Sequence, residues 1–69
     1  MNNLREYRIK QLMTQKRLAE KSGVDQVTIS FIENQLSNPM DKTKQKLARA
    51  LGVDQEVLFP SKSERLLRR

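Results

Sequence analysis

The chain has 69 residues, 14 lysines and arginines against 8 aspartates and glutamates, a net charge of +6, and no cysteine or histidine. That length makes one small domain, burying only about 60% of its unfolded-chain surface, and the missing residue types exclude a disulfide framework and the common zinc sites. No apolar run is long enough to span a membrane and the start carries no secretory signal pattern, so the expected setting is cytoplasmic, with neither metal nor cofactor.

Asn3 is placed to cap a first helix, with Glu6 in capping-box register. Leu4, Arg8 and Leu12 fall on its inward stripe, beside Tyr7 and Ile9. Thr14 caps a second helix from Gln15 to Ser22, whose inward positions are Leu18 and Ala19. Gly23 ends it in the left-handed conformation, and Val24 plugs the turn. Asp25 caps a third helix and suits its positive end. At 100° per residue, Ile29, Ile32, Glu33 and Leu36 share one face of that helix, while Val27, Thr28 and Phe31 share the other. Asn38-Pro39 marks a turn, a fourth helix runs from about Asp41 to Leu51 with Leu47, Ala48 and Leu51 inward, and Gly52 closes it. Asp54 caps a short fifth helix through Val57, Leu58 and Phe59, stopped by Pro60. Residues 1–60 thus form the domain, and 61–69 form a basic tail whose apolar members are Leu66 and Leu67. There is no strand signal and no internal repeat.

The basic charge is unevenly spread. Arg5, Arg8, Lys10, Lys16, Arg17 and Lys21 precede the third helix, and Lys42, Lys44, Lys46 and Arg49 follow it, but no lysine or arginine lies between Val24 and Met40. A polyanion partner gripped by the flanks, with an uncharged helix between them, fits double-stranded DNA: phosphates position the protein and base edges specify the sequence.

These residues carry a resemblance. Arg8; Thr14-Gln15 with Leu18-Ala19; Gly23-Val24; Gln26, Thr28-Ile29 and Ile32-Glu33-Asn34; Asn38-Pro39; Leu47-Ala48; and Ala50 to Val53, ending in Leu58-Phe59, together resemble the phage-repressor (Xre-like or Cro-like) helix-turn-helix family, over residues 3 to 59. The resemblance implies an all-α, compact five-helix lambda-repressor-like DNA-binding domain, with helices 2 and 3 as the helix-turn-helix. It further implies a homodimeric repressor at a palindromic operator. The chain departs from the family in three places. Gln35 stands where a glycine usually follows the recognition helix, Phe31 where a polar or basic residue is usual, and Asp41 and Lys44 where apolar residues are usual.

Gln26 is the leading candidate for base contact, because a carboxamide matches the N6 and N7 edge of adenine and the position opens the second helix of the motif. Val27, Thr28 and Phe31 join it as candidate base contacts; the apolar pair suits thymine methyls. A set of this kind, without arginine or lysine for guanine, favours A·T-containing steps. By resemblance, Gln15 meets a phosphate and also braces the recognition helix, and Asn34 meets a phosphate, while Lys16, Lys42 and Lys44 are candidate electrostatic clamps. Also by resemblance, Arg8 and Glu33, on the inward faces of their helices, form a buried structural ion pair. Val57, Leu58 and Phe59, with Leu66 and Leu67, are candidates for subunit contact or, for the first three, for core. The alternative function is an antitoxin or partner-binding module, with Phe31 and the tail leucines as the protein interface. Catalysis is not expected, since no carboxylates converge and neither glycine belongs to a phosphate loop.

Overall fold

A computed structural model describes residues 2–60 of the chain. Five α-helices follow one another: α1 (Leu4–Lys10), α2 (Gln15–Ser22), α3 (Gln26–Glu33), α4 (Asp41–Leu51) and α5 (Gln55–Leu58). α2 packs on α3 and α4, α4 on α5, and α1 on α3, the compact all-α arrangement expected of a lambda-repressor-like fold. Every helix sends at least one side chain into a single core, where Leu4, Leu18, Ile29, Ile32, Leu47 and Leu58 are fully buried. Each contributes about 1.5–3 kcal/mol relative to an exposed position.

Local chemistry fixes the two central helices. The Thr14 hydroxyl accepts from the Arg17 N–H at 3.0 Å, and Gly23 ends α2 at φ 78°. Nothing lies within 4 Å of the place where a Cβ would stand on Gly23, so the backbone angle alone selects glycine. The Asp25 carboxylate accepts from the Val27 N–H at 3.0 Å and starts α3. Half of α3 is β-branched, four residues (Val27, Thr28, Ile29, Ile32) in eight. Such a helix is weak by propensity and depends on its tertiary contacts.

Several expectations need correction. The Asn3 side chain does not cap α1; its Nδ2 donates to the Val57 carbonyl at 3.0 Å, and Asn2 Oδ1 accepts from the Leu4 N–H instead, at 3.1 Å. Asp54 makes no side-chain cap bond at α5. α1 stops at Lys10, so Leu12 leaves the inward stripe, turns to φ 56° and stands 95% exposed. Leu36 lies beyond α3 and is 74% exposed, because Gln35 adopts φ 62° and turns the chain away. Gln35 therefore takes the left-handed position in which the family has glycine. Leu58 and Phe59 belong to the core, which removes them as subunit contacts, while Val57 is half-buried. Leu66 and Leu67, and the rest of 61–69, lie outside the described residues.

The ends of three helices meet α1 and its flanks. Gln11 Nε2 donates to the Leu51 carbonyl at the end of α4 (2.6 Å), the Asn3 N–H to the Leu58 carbonyl at the end of α5 (2.8 Å), and Asn2 Nδ2 to the Ile32 carbonyl at the end of α3 (3.0 Å). The Leu51 and Leu58 carbonyls, which their helix ends leave without an intrahelical partner, are satisfied here by residues distant in sequence, and the Ile32 carbonyl accepts from Asn2 in addition to the Gln35 N–H at 3.1 Å.

Candidate nucleic-acid interface

The geometry begins below the surface, at Glu33. Its side chain is 2% exposed and lies against Arg8, whose side chain is 11% exposed. Arg8 Nε donates to Glu33 Oε2 at 2.6 Å and Nη2 to Oε1 at 3.0 Å, a two-pronged pairing of guanidinium and carboxylate. Gln15 Nε2 adds a third bond to Oε1 at 3.0 Å. Arg8 Nη1 also donates to the Met13 carbonyl at 2.6 Å, tying in the turn between α1 and α2. Glu33 is the one ionisable residue of α3, and this network holds it inward.

The outward face of α3 is consequently uncharged. Gln26 is exposed at its first turn, and no side-chain hydrogen bond within the described residues engages it. Val27 and Phe31, one helical turn apart, are 59% and 50% exposed. Thr28 and Ser30 are half-buried beside them. Polar hydrogen-bonding groups and an apolar pair thus share one surface, the combination that base edges and thymine methyls present in a major groove.

The expected phosphate contacts divide. Lys16 and Lys42 are exposed. Lys44 is half-buried, with Nζ 5.6 Å from the centre of the Phe59 ring, so it also covers the core. Gln15 is occupied as the brace between α2 and α3, leaving one amide hydrogen for an outside acceptor. Asn34 is exposed, and its Nδ2 donates to the Ser30 carbonyl at 2.8 Å, which leaves its second amide hydrogen for a phosphate. Sequence reasoning missed Asn2 and the part it plays at the end of α3, for which the only visible signal is an amide side chain ahead of the first helix.

Two short helices with a left-handed glycine between them, the second anchored by a buried ion pair and presenting an uncharged face, define a helix-turn-helix domain. The helix-turn-helix family model matches residues 4–58. The chain is similar to an uncharacterized HTH-type transcriptional regulator of Archaeoglobus fulgidus, 41% identical over 63 residues that cover 91% of this chain and 90% of the relative. A second such regulator of the same organism is 38% identical over 63 residues, covering 91% of this chain and 89% of its own. The chain belongs to the helix-turn-helix family of DNA-binding transcriptional regulators.

Proposed function

We propose that the protein is a sequence-specific repressor of the Xre or Cro type, binding a palindromic operator as a homodimer with α3 in the major groove. The observation that carries this reading is the face of α3: Gln26, Val27 and Phe31 exposed and uncharged, opposite a buried Glu33. Gln26 supplies the donor–acceptor pair for adenine, and Val27 and Phe31 supply apolar surface for thymine methyls. Thr28 completes the base-facing set. Gln15, Lys16, Asn34, Lys42 and Lys44 meet the phosphates on either side. The protein acts without catalysis, in the cytoplasm.

Selection of bound duplexes from a random pool tests this directly. The expected result is an A·T-containing motif repeated with two-fold symmetry, its half-sites about 34 Å apart. A pool that returns no shared motif refutes it, and a single unrepeated half-site refutes the dimer.

The exposed Val27 and Phe31 also favour a second reading, a partner-binding module of the antitoxin kind. In that case Phe31→Ala abolishes copurification of a tight protein partner and leaves DNA affinity intact.

A further inference from the structure

α3 is short and half β-branched, so what holds it decides where its outward side chains point. Below the surface it is held by Ile29 and Ile32 in the core and by Glu33 on Arg8 and Gln15. A further hold comes from the other end of the sequence. Asn2 Nδ2 donates to the Ile32 carbonyl at 3.0 Å and to Gln35 Oε1 at 3.3 Å, while Asn2 Oδ1 accepts from the Leu4 N–H at 3.1 Å. One carboxamide therefore opens α1 and closes α3, across 30 positions of sequence. Its second partner, Gln35, is the residue in left-handed conformation at φ 62°, and Gln35 Nε2 in turn donates to the Glu33 carbonyl at 3.4 Å.

We propose that Asn2 is a positioning residue for DNA recognition: its clasp on the Ile32 carbonyl fixes the roll of α3 about its own axis. This rests on the reading of α3 as the helix that enters the groove. Successive residues of a helix differ by about 100° in direction. The Ile32 carbonyl, which also accepts from the Gln35 N–H at 3.1 Å, and the Glu33 carboxylate are gripped by different partners, so a roll of α3 strains both grips. With side-chain tips about 6 Å from the axis, a roll of about 10° moves them by about 1 Å. Hydrogen bonds to base edges tolerate a range of about 0.5 Å. A small loss of hold thus degrades base reading while leaving phosphate attraction, which depends on charge, intact.

The test uses the full chain and the duplex selected above. Asn2→Ser keeps an acceptor for the Leu4 N–H and the same net charge, but its side chain is too short to reach the Ile32 carbonyl. Affinity is measured for the selected duplex and for a random duplex of equal length, at one salt concentration, alongside the thermal midpoint. The expected result is a fall of about two- to tenfold on the selected duplex, the loss of one hydrogen bond. Affinity for the random duplex stays the same, and the midpoint falls by several degrees, the cost of the lost intramolecular bond. Asn2→Ala, which also removes the cap, lowers the midpoint further yet loses no more discrimination. Gln35→Gly, which leaves the bond to Ile32 in place, keeps the wild-type ratio. Equal affinities for Asn2→Ser and wild type on the selected duplex overturn the proposal. So does a parallel fall on both duplexes, or an equal loss of discrimination in Gln35→Gly. A wild-type chain that does not distinguish the two duplexes refutes the regulator reading itself, before any variant is compared.

Discussion

Glu33→Ala removes the carboxylate that three side-chain bonds converge on: Arg8 Nε at 2.6 Å, Arg8 Nη2 at 3.0 Å and Gln15 Nε2 at 3.0 Å. Arg8 stays behind, its side chain 11% exposed, keeping only its bond to the Met13 carbonyl. Stranding a buried guanidinium costs about 3–5 kcal/mol. A chain of 69 residues, at about 0.05–0.15 kcal/mol per residue, has a total stability of roughly 3–10 kcal/mol. The single change therefore uses up much or all of the margin. Equilibrium urea unfolding followed by far-UV circular dichroism measures it, with the midpoint shifted to lower urea at an unchanged slope. Replacing both partners (Arg8→Met with Glu33→Met) recovers most of the loss, because an apolar pair of similar volume leaves no charge uncompensated. A loss below about 1 kcal/mol for Glu33→Ala, the range of a solvated surface pair, refutes the argument.

The flanking lysines give a second expectation: Lys16→Ala and Lys42→Ala each flatten the dependence of log affinity on log salt by about 0.9 for every phosphate left without its cation, measured by titration of the operator. An unchanged slope removes that lysine from the interface. Replacing single operator thymines by uracil deletes one methyl each; where Val27 or Phe31 packs on it, affinity falls about fourfold, the equivalent of about 0.8 kcal/mol, and in Val27→Ala or Phe31→Ala the effect shrinks. Thymine-to-uracil changes without effect anywhere in the site remove the apolar pair from base reading. The left-handed residues respond in opposite directions. Leu12→Gly stabilises by about 0.5–1 kcal/mol, relief of strain less added chain entropy. Gly23→Ala destabilises by about 1–2 kcal/mol although its side chain meets no neighbour. Thermal unfolding decides both, and a stability gain at Gly23→Ala contradicts the backbone argument.

What the sequence disclosed was whatever short-range chemistry writes into it. Thr14, Gly23, Asp25 and Gly52 each act within a few residues of themselves, so their cap and turn roles were readable in place. The inward positions Leu18, Ile29, Ile32 and Leu47 followed from helical period. That period runs on after a helix has stopped, which is why Leu12 and Leu36 looked buried and are exposed. Their helices end at or next to Leu12 and Gln35, left-handed residues that are not glycine and so give no punctuation. Asn3 and Asp54 have cap chemistry but make no such bond; the Asn3 amide goes instead to the distant Val57 carbonyl. The reach of Asn2 to Ile32 has no short-range trace at all. On the candidate interface, the exposure of Phe31 was legible from its place opposite Ile29 and Ile32, and the bracing of α3 by Gln15 from the resemblance, whereas its partner Glu33 and the bond of Asn34 to Ser30 show only in three dimensions.

The two sides of α3 answer to separate demands. Ile29, Ile32 and Glu33 serve the interior, while Gln26, Val27, Phe31 and Asn34 stand in solvent. On the proposed reading of α3, a lineage built on this scaffold exchanges the solvent-facing four and acquires new target sites without having to reinvent its folding. Divergence in regulatory wiring then proceeds at little thermodynamic expense, as long as the hidden carboxylate and its guanidinium are inherited together.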